Sequence, residues 1–172
     1  MTVEPALLAA LGADGPHSAL GDGLQLYGQF VGAWDVEVTN YPEDEAPTRA
    51  AAEWIFGWAL EGRAVQDVWI VPARGRRDGA QAEPFGTTIR YHVPDEDVWR
   101  IVWVNPVSDS VSTMTGRQVG DEIVQDGVDD DGRPFRWVFY EIDQDRFRWR
   151  AEEQAEGGGW TLLQEMTVTR RA

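Results

Sequence analysis

Three polar residues interrupt otherwise apolar rows of alternating sequence, and they are the first candidates for chemistry. Asp67 lies in a row of valines and a tryptophan, Asn105 ends a row with two tryptophans, and Gln164 shares its row with leucine and methionine. Burying such groups without partners costs a few kcal/mol, so they should bond to each other or to a ligand. If segment 63–71 has the opposite orientation, Gln66 replaces Asp67 on that face.

A carboxylate among tryptophans would be suited to proton transfer. Desolvation would raise the pKa of a buried Asp67 and make it a candidate general acid or base. Glu165 and Glu141 are further candidates for the same role. In the alternative interpretation Asp67 pairs with an arginine and is part of the scaffold. The candidate partners are Arg63, Arg90 and Arg117.

Aromatic side chains recur at every second position of many segments, and alternate residues of a strand face opposite ways. The more apolar faces, taken as inward, carry Trp34, Trp54, Trp58, Tyr91, Trp99, Trp103, Trp137, Phe139, Phe147, Trp149 and Met166. Aromatic faces provide platforms for a planar or apolar ligand. The predicted ligand-binding residues are Trp54, Trp58, Gln66, Asp67, Tyr91, Trp103, Asn105, Trp137 and Trp149. The alternative is an interior packed solid with these side chains.

The elements that must position these residues are short β-type runs closed by turns. Ten such runs follow one another between Trp34 and Arg170, at the spacing typical of an all-β protein. Short connections favour pairing of neighbours, and closure leaves no open edge. The sequence therefore predicts one domain, 1–172, with an up-and-down antiparallel barrel of about 8–10 strands over 32–171. A β-sandwich is the competing architecture, and only the loop 72–85 is long enough to cross between sheets.

The segment before the first run has a helical pattern. Residues 1–12 predict a short helix that begins after Pro5 and ends at Gly12. From Leu24 to Val31, apolar residues fall on one side of about two helical turns. Residues 1–31 are therefore expected to form a helical cap over one mouth of the barrel.

Charged residues alternate with aromatic ones near the end of the chain. Arg146, Arg148 and Arg150 alternate with Phe147 and Trp149. The pattern predicts an outward row of ion pairs across strands, with Glu165 or Glu141 as acidic partners. In the alternative the arginines face inward and hold a carboxylate ligand.

Composition excludes several chemistries. The net charge of −15 disfavours nucleic acid and anionic membranes as partners. Cysteine and lysine are absent, which removes thiolate metal sites and Schiff-base catalysis, and two histidines, His17 and His92, do not make a metal site. We therefore expect no metal and no cofactor. Without an evident signal peptide or long apolar run, we expect a cytoplasmic protein, and a homodimer stays open.

Two motifs at the ends of the barrel segment resemble the calycin signature of lipocalins and fatty-acid-binding proteins. Gly32-Ala33-Trp34 opens the first run, and Arg170-Arg171 closes the last. The resemblance implies that the indole lies across the barrel floor with an arginine packed over it. Residues 31–170 are also similar to calycin-like bacterial families of unknown function, through VGAWDVEV, EWIFGWALEGRAVQDVWIVP, GTTIRYHVP, VWRIVW and LLQEMTVTRR. That similarity implies a barrel and no established reaction.

These observations leave three functions to compare. The first is binding of a small hydrophobic or aromatic molecule inside the barrel. The second is a cofactor-independent isomerase, cyclase or lyase in the same cavity, with Asp67 or Glu165 as general acid or base. The third is an interaction module without a ligand, whose contact surfaces would be the acidic loops 41–45 and 126–131.

Overall fold

The computed structural model describes residues 6–76 and 84–172. Its helices are α1 (Ala6–Leu11), a 3-10 segment (Ser18–Leu24), α2 (Gln25–Gly28) and a 3-10 turn (Arg74–Arg76). Its strands are β1 (Gly12–Ala13), β2 (Gly32–Asn40), β3 (Thr48–Ala59), β4 (Ala64–Ile70), β5 (Pro84–Val93), β6 (Val98–Asn105), β7 (Ser110–Val119), β8 (Glu122–Val128), β9 (Pro134–Tyr140), β10 (Arg146–Ala155) and β11 (Gly159–Arg170). Within those residues, every helix is too short or too polar to traverse a lipid bilayer.

Strands β2–β11 form a closed antiparallel barrel, as the sequence predicts. Each strand pairs with the next along the chain, and the ring closes where β11 pairs with β2. Met166 lies opposite Val38 at that closure, so two inward rows meet in register. The short β1 pairs with β3 outside the ring of ten. The β-sandwich alternative is therefore wrong.

The helical cap forms where it is expected and covers one end of the barrel, which we call the cap end. Leu24, Tyr27 and Phe30 are fully buried there because one side of the two turns is apolar. The Tyr27 ring meets the Trp99 ring edge-on at 4.7 Å, and the Phe30 ring stacks on Phe139 at 4.9 Å. The opposite end of the barrel is called the far end below.

Trp34 and Arg170 form a lock at the cap end. The Trp34 indole donates a hydrogen bond to the Phe30 carbonyl at 2.7 Å, and the Arg170 guanidinium lies 4.0 Å from the Trp34 ring centre. Arg170 also donates to the backbone carbonyls of Gln29, Val31 and Gln144 at 2.9–3.0 Å. This is the arrangement that the two end motifs imply.

The outer wall carries ion pairs across strands, with one of the expected partners, Glu165, and with Glu122, which the sequence did not indicate. Arg148 binds Glu165 at 2.6 Å, and Arg150 binds Glu122 at 3.0 Å. The inward alternates Phe147 and Trp149 are buried. The alternative in which the arginine row faces inward is therefore wrong.

A second ionic cluster fastens the segment after β4 and the C-terminus to the barrel. Glu53 is buried on the outer side of β3, where it accepts bonds from Arg74, through both its backbone and its guanidinium, and from Arg171. The hydrogen bond from the Arg74 side chain is the main reason that the pKa of Glu53 falls to about 2. Glu53 is thus charged at every pH at which the fold is expected to be stable.

Replacing Glu53 by Gln should weaken the fold in a pH-dependent manner. Because the folded-state pKa is depressed, the stabilising contribution is present above about pH 4.5 and is lost as the pH falls toward 2. We expect Glu53→Gln to lower the free energy of unfolding by about 2 kcal/mol at pH 7, after allowance for the half-exposed Arg74. Urea unfolding from pH 7 to pH 3 should show the difference from wild type shrinking, and a constant difference would contradict the assignment.

Candidate functional site

Five tryptophans form a connected series inside the barrel, mostly toward the far end. Their rings follow one another by edge contacts, with centroid distances of 5.6, 6.2, 5.6 and 5.8 Å. In order they are Trp69, Trp54, Trp149, Trp137 and Trp103. Trp54, Trp69 and Trp149 are buried, whereas Trp103 and Trp137 are half-buried. The series therefore leads from the core to partly accessible indole surfaces.

Two glycines allow aromatic rings to lie against the barrel wall. A Cβ atom at Gly86 would lie 2.3 Å from the Trp103 ring, and one at Gly127 would lie 2.4 Å from the Phe135 ring. Both glycines lie on strands next to those that carry the rings. A ring packed over a glycine lies along the wall and presents its other face to the interior.

Two indole N–H groups of the series have no acceptor among the residues that the structure describes. The Nε1 atoms of Trp54 and Trp149 are buried and form no hydrogen bond within the described residues. Buried indole donors usually find a partner, and an unmade bond costs about 1–3 kcal/mol. These donors mark a place where an acceptor from outside the chain would be favourable.

Asp67 points into the barrel, but it is already paired. Its Oδ2 atom accepts a bond from Arg90 at 2.5 Å, and its Oδ1 atom accepts one from the backbone N–H of Thr88 at 3.1 Å. Asp67 and Arg90 are both fully buried. This is the alternative in which Asp67 pairs with an arginine as part of the scaffold. Each of its carboxylate oxygens already accepts a hydrogen bond from the chain.

Arg90 occupies the centre of a polar and aromatic cluster above the cap. Its guanidinium carbon lies 5.2 Å from the Tyr27 ring centre, where a cation–π contact is favourable. Tyr27 accepts a bond from Gln125 at 3.0 Å, and burial raises the pKa of this tyrosine far above its usual value. Arg90 Nε and Gln125 Oε1 have no partner within the described part of the chain.

The other polar candidates are bonded to the chain. Asn105 is buried, and its side-chain oxygen accepts from the backbone N–H groups of Val107 and Ser108, so it holds the turn after β6. Gln164 donates to Asn40 at 2.6 Å across the β11–β2 pairing. Both residues act locally in the scaffold.

Three candidates for the interior lie on the outside of the barrel. The sequence predicts an inward Tyr91, whereas it leaves an outward position open for Gln66 and Glu165. Tyr91 is 46% exposed, because Arg90 and His92 take the inward positions of β5. Gln66 donates to Thr87 on the outer wall, since segment 63–71 has Asp67 inward. Glu165 bonds to Tyr140 and Arg148 outside, so a general acid or base at this position would not face the interior.

Trp58 is separated from the rest of the site. It lies near the cap end of β3, where its ring would be 2.5 Å from a Cβ atom placed on Gly28 of α2. The ring thus packs under the cap rather than at the far end. Its contact with Gly28 closes the barrel and does not line the tryptophan series.

Sequence reasoning left out three residues of this interior. Trp69 lies in the Asp67 row and could have been selected with the other inward tryptophans. Arg90 was considered only as a partner for Asp67, and Gln125 was not considered. Alternation in β8 runs Ile123, Gln125, Gly127, which is too weak a pattern to show that Gln125 faces inward.

The fold is shared with structures of very different sequence. Rv2717c from M. tuberculosis superposes with a TM-score of 0.57 at 13% identity, over 87% of this chain and 98% of that one. The S-type phycobiliprotein lyase CPES from Guillardia theta gives 0.59 at 12% identity, over 91% and 99%. No protein-family model and no curated protein matches the sequence. At these identities the likeness establishes a closed β-barrel fold and no activity.

Proposed function

We propose that the protein binds a small, planar organic molecule in the far half of the barrel, against the tryptophan series. The observation that carries the proposal is a pair of buried indole N–H groups next to aromatic surface, those of Trp54 and Trp149, which have no acceptor within residues 6–76 and 84–172. A ligand with an apolar body and one acceptor atom would satisfy both features. In this assignment, the calycin-like resemblance of the end motifs is consistent with a ligand-binding barrel.

Entry from the far end is supported by the distribution of accessible aromatic surface. Trp103, Trp137 and Phe135 are half-buried there, whereas the cap end is closed by buried Leu24, Tyr27 and others. Trp103 and Phe135 lie along the wall because Gly86 and Gly127 make room. A planar ligand would enter between these rings and reach the deeper indoles.

The chemistry of the ligand follows from the groups that line this region. Asp67 neutralises the charge of the buried Arg90, so this arginine is not a free cation that would attract an anionic ligand. Indole N–H groups are donors only, which favours a neutral acceptor such as a carbonyl over a second donor. A phycobiliprotein lyase shares the fold, and this likeness is compatible with a conjugated, chromophore-like ligand.

The experiment is a titration with two matched probes, 2-acetylnaphthalene and 2-ethylnaphthalene, which differ by one carbonyl oxygen. We expect 2-acetylnaphthalene to quench tryptophan fluorescence and bind at least about five-fold more tightly than the hydrocarbon, since one hydrogen bond is worth about 1 kcal/mol. In ¹⁵N-labelled protein the Trp54 and Trp149 indole resonances should shift on addition of the ketone.

Matched variants locate the site. Trp137→Ala should weaken binding of 2-acetylnaphthalene about ten-fold or more, because the probe would lose an aromatic surface on which to stack. Trp160→Ala removes a tryptophan that is 37% exposed on the outside and covered by Arg136, and it should leave affinity unchanged. Saturable binding that leaves the inner indole resonances in place, or no binding of either probe, would overturn the proposal.

A further inference from the structure

The outer side of strands β4–β7 is a run of four neighbouring strands with no acidic side chain within the described residues. Elsewhere the chain carries most of its 30 aspartate and glutamate residues on loops and on the outer sides of other strands. We call this surface the β4–β7 face. It consists of Gln66, Val68, Thr87, Ile89, Tyr91, Arg100, Val102, Val104, Val111, Thr113, Thr115 and Arg117.

The part of the β4–β7 face on β6 and β7, next to the turn that joins them at the far end, is apolar and open to solvent. Val104 and Val111 lie directly opposite each other on β6 and β7, and they are 36% and 63% exposed. Val102 and Ile89 continue the apolar surface across the next pairing. Contiguous exposed apolar surface of this kind usually marks an interaction site.

The two cations of the β4–β7 face are neutralised within the chain. Arg100 binds Glu96 at 2.6 Å, and Arg117 binds Asp126 at 2.8 Å. The face is therefore close to neutral, while the whole chain carries a net charge of −15. Two copies of a strongly acidic molecule can associate through a neutral apolar face, because no like charges then oppose each other across the contact.

We infer that the β4–β7 face is the contact surface of a homodimer, with a second copy of this chain as its occupant. A two-fold axis would place Val104 and Val111 of one copy against the same region of the other. An anionic membrane or nucleic acid would be repelled by the surrounding acidic surface. A basic partner protein would bind the acidic strands instead of this neutral face.

The size of the face sets the expected strength of association. Four neighbouring strands span only about 15 Å between the outer strand axes. The buried area should thus lie at the low end of protein interfaces, where association is weak and reversible. Copies of equal charge also repel at long range, so added salt should strengthen the dimer by screening.

Sedimentation velocity on the full chain, across two orders of magnitude of protein concentration, tests the inference. We expect a reversible monomer–dimer equilibrium whose association constant rises at least about three-fold between low and physiological salt. Val111→Glu should lower that constant at least ten-fold, since the proposed two-fold axis would bring the introduced carboxylates of the two copies together. Val104→Glu should act in the same direction.

Val128→Glu is the matched control. Val128 is 59% exposed on the outer side of β8, two residues after the acidic Asp126 and outside the β4–β7 face. It should leave the dimer constant unchanged, and near-ultraviolet circular dichroism should show that all three variants fold. A chain that stays monomeric at every concentration overturns the inference, as does a dimer that responds to Val128→Glu as strongly as to Val111→Glu.

Discussion

Asp67→Asn is expected to lower the free energy of unfolding by about 3–5 kcal/mol, the largest effect of any single substitution proposed for this protein. The change keeps the shape of the side chain and removes its charge. Arg90 would then be a fully buried cation without a counter-ion, with only ring faces such as that of Tyr27 beside it. Urea unfolding at pH 7, followed by circular dichroism, measures the difference.

Two further variants distinguish the cost of leaving a charge buried without a counter-ion from the cost of losing one ion pair. Asp126→Asn breaks the exposed pair with Arg117 and should cost less than about 1 kcal/mol. The double variant Asp67→Leu with Arg90→Met removes both buried charges, so it should be less destabilised than Asp67→Asn. Equal costs for Asp67→Asn and Asp126→Asn would show that the buried pair does not have the expected role.

Arg170→Met is expected to lower the free energy of unfolding by about 3 kcal/mol. The substitution removes three hydrogen bonds to the carbonyls of Gln29, Val31 and Gln144 together with the stacking on Trp34. Because two of those carbonyls precede β2, the cap itself should loosen. Amide hydrogen exchange at residues 24–31 should accelerate in parallel with the loss measured by urea unfolding.

Lysine at the same position distinguishes geometry from charge. Arg170→Lys keeps the positive charge, but an ammonium group lacks the planar guanidinium that reaches three carbonyls at once. We therefore expect a loss of unfolding free energy between those of wild type and Arg170→Met. Arg146→Met removes an arginine that is mostly exposed and paired with Asp143, and it should cost only a few tenths of a kcal/mol. A cost for Arg170→Met as small as that of Arg146→Met would contradict the lock.

The ion pair and the lock were predictable to different degrees from sequence. Trp34 and Arg170 stand at the two ends of the barrel segment, and a recurrent motif relates them despite their separation in the chain. The partner of Asp67 was not decided, because three arginines were compatible with its position. Pairing of Thr88 with Asp67 in the β4–β5 register brings Arg90 within reach of the carboxylate, and register is a property of the assembled sheet.

The binding candidates divide in the same way. Strict alternation of apolar residues was enough to predict that Trp54, Trp103 and Trp149 face the interior. It failed at Tyr91, because neither side of β5 is clearly apolar. The row that faces inward contains Arg90 and His92, and an arginine is an improbable interior residue. The burial of Arg90 is favourable because aromatic faces surround its guanidinium and because the carboxylate of Asp67 neutralises its charge. Both contacts depend on the tertiary structure.

The sequence by itself determined an antiparallel barrel of about 8–10 strands, the helical cap and the inward orientation of Trp54, Trp103 and Trp149, because strand alternation and turn spacing are local properties of the chain. Only the tertiary structure decided which buried polar groups are bonded and which are not. In the described part of the chain Trp54 and Trp149 lack acceptors, whereas Asn105 and Gln164 have partners, although all four belong to inward rows. Hydrogen bonding between strands depends on distances of a few tenths of an ångström, and no pattern of residue types encodes those distances.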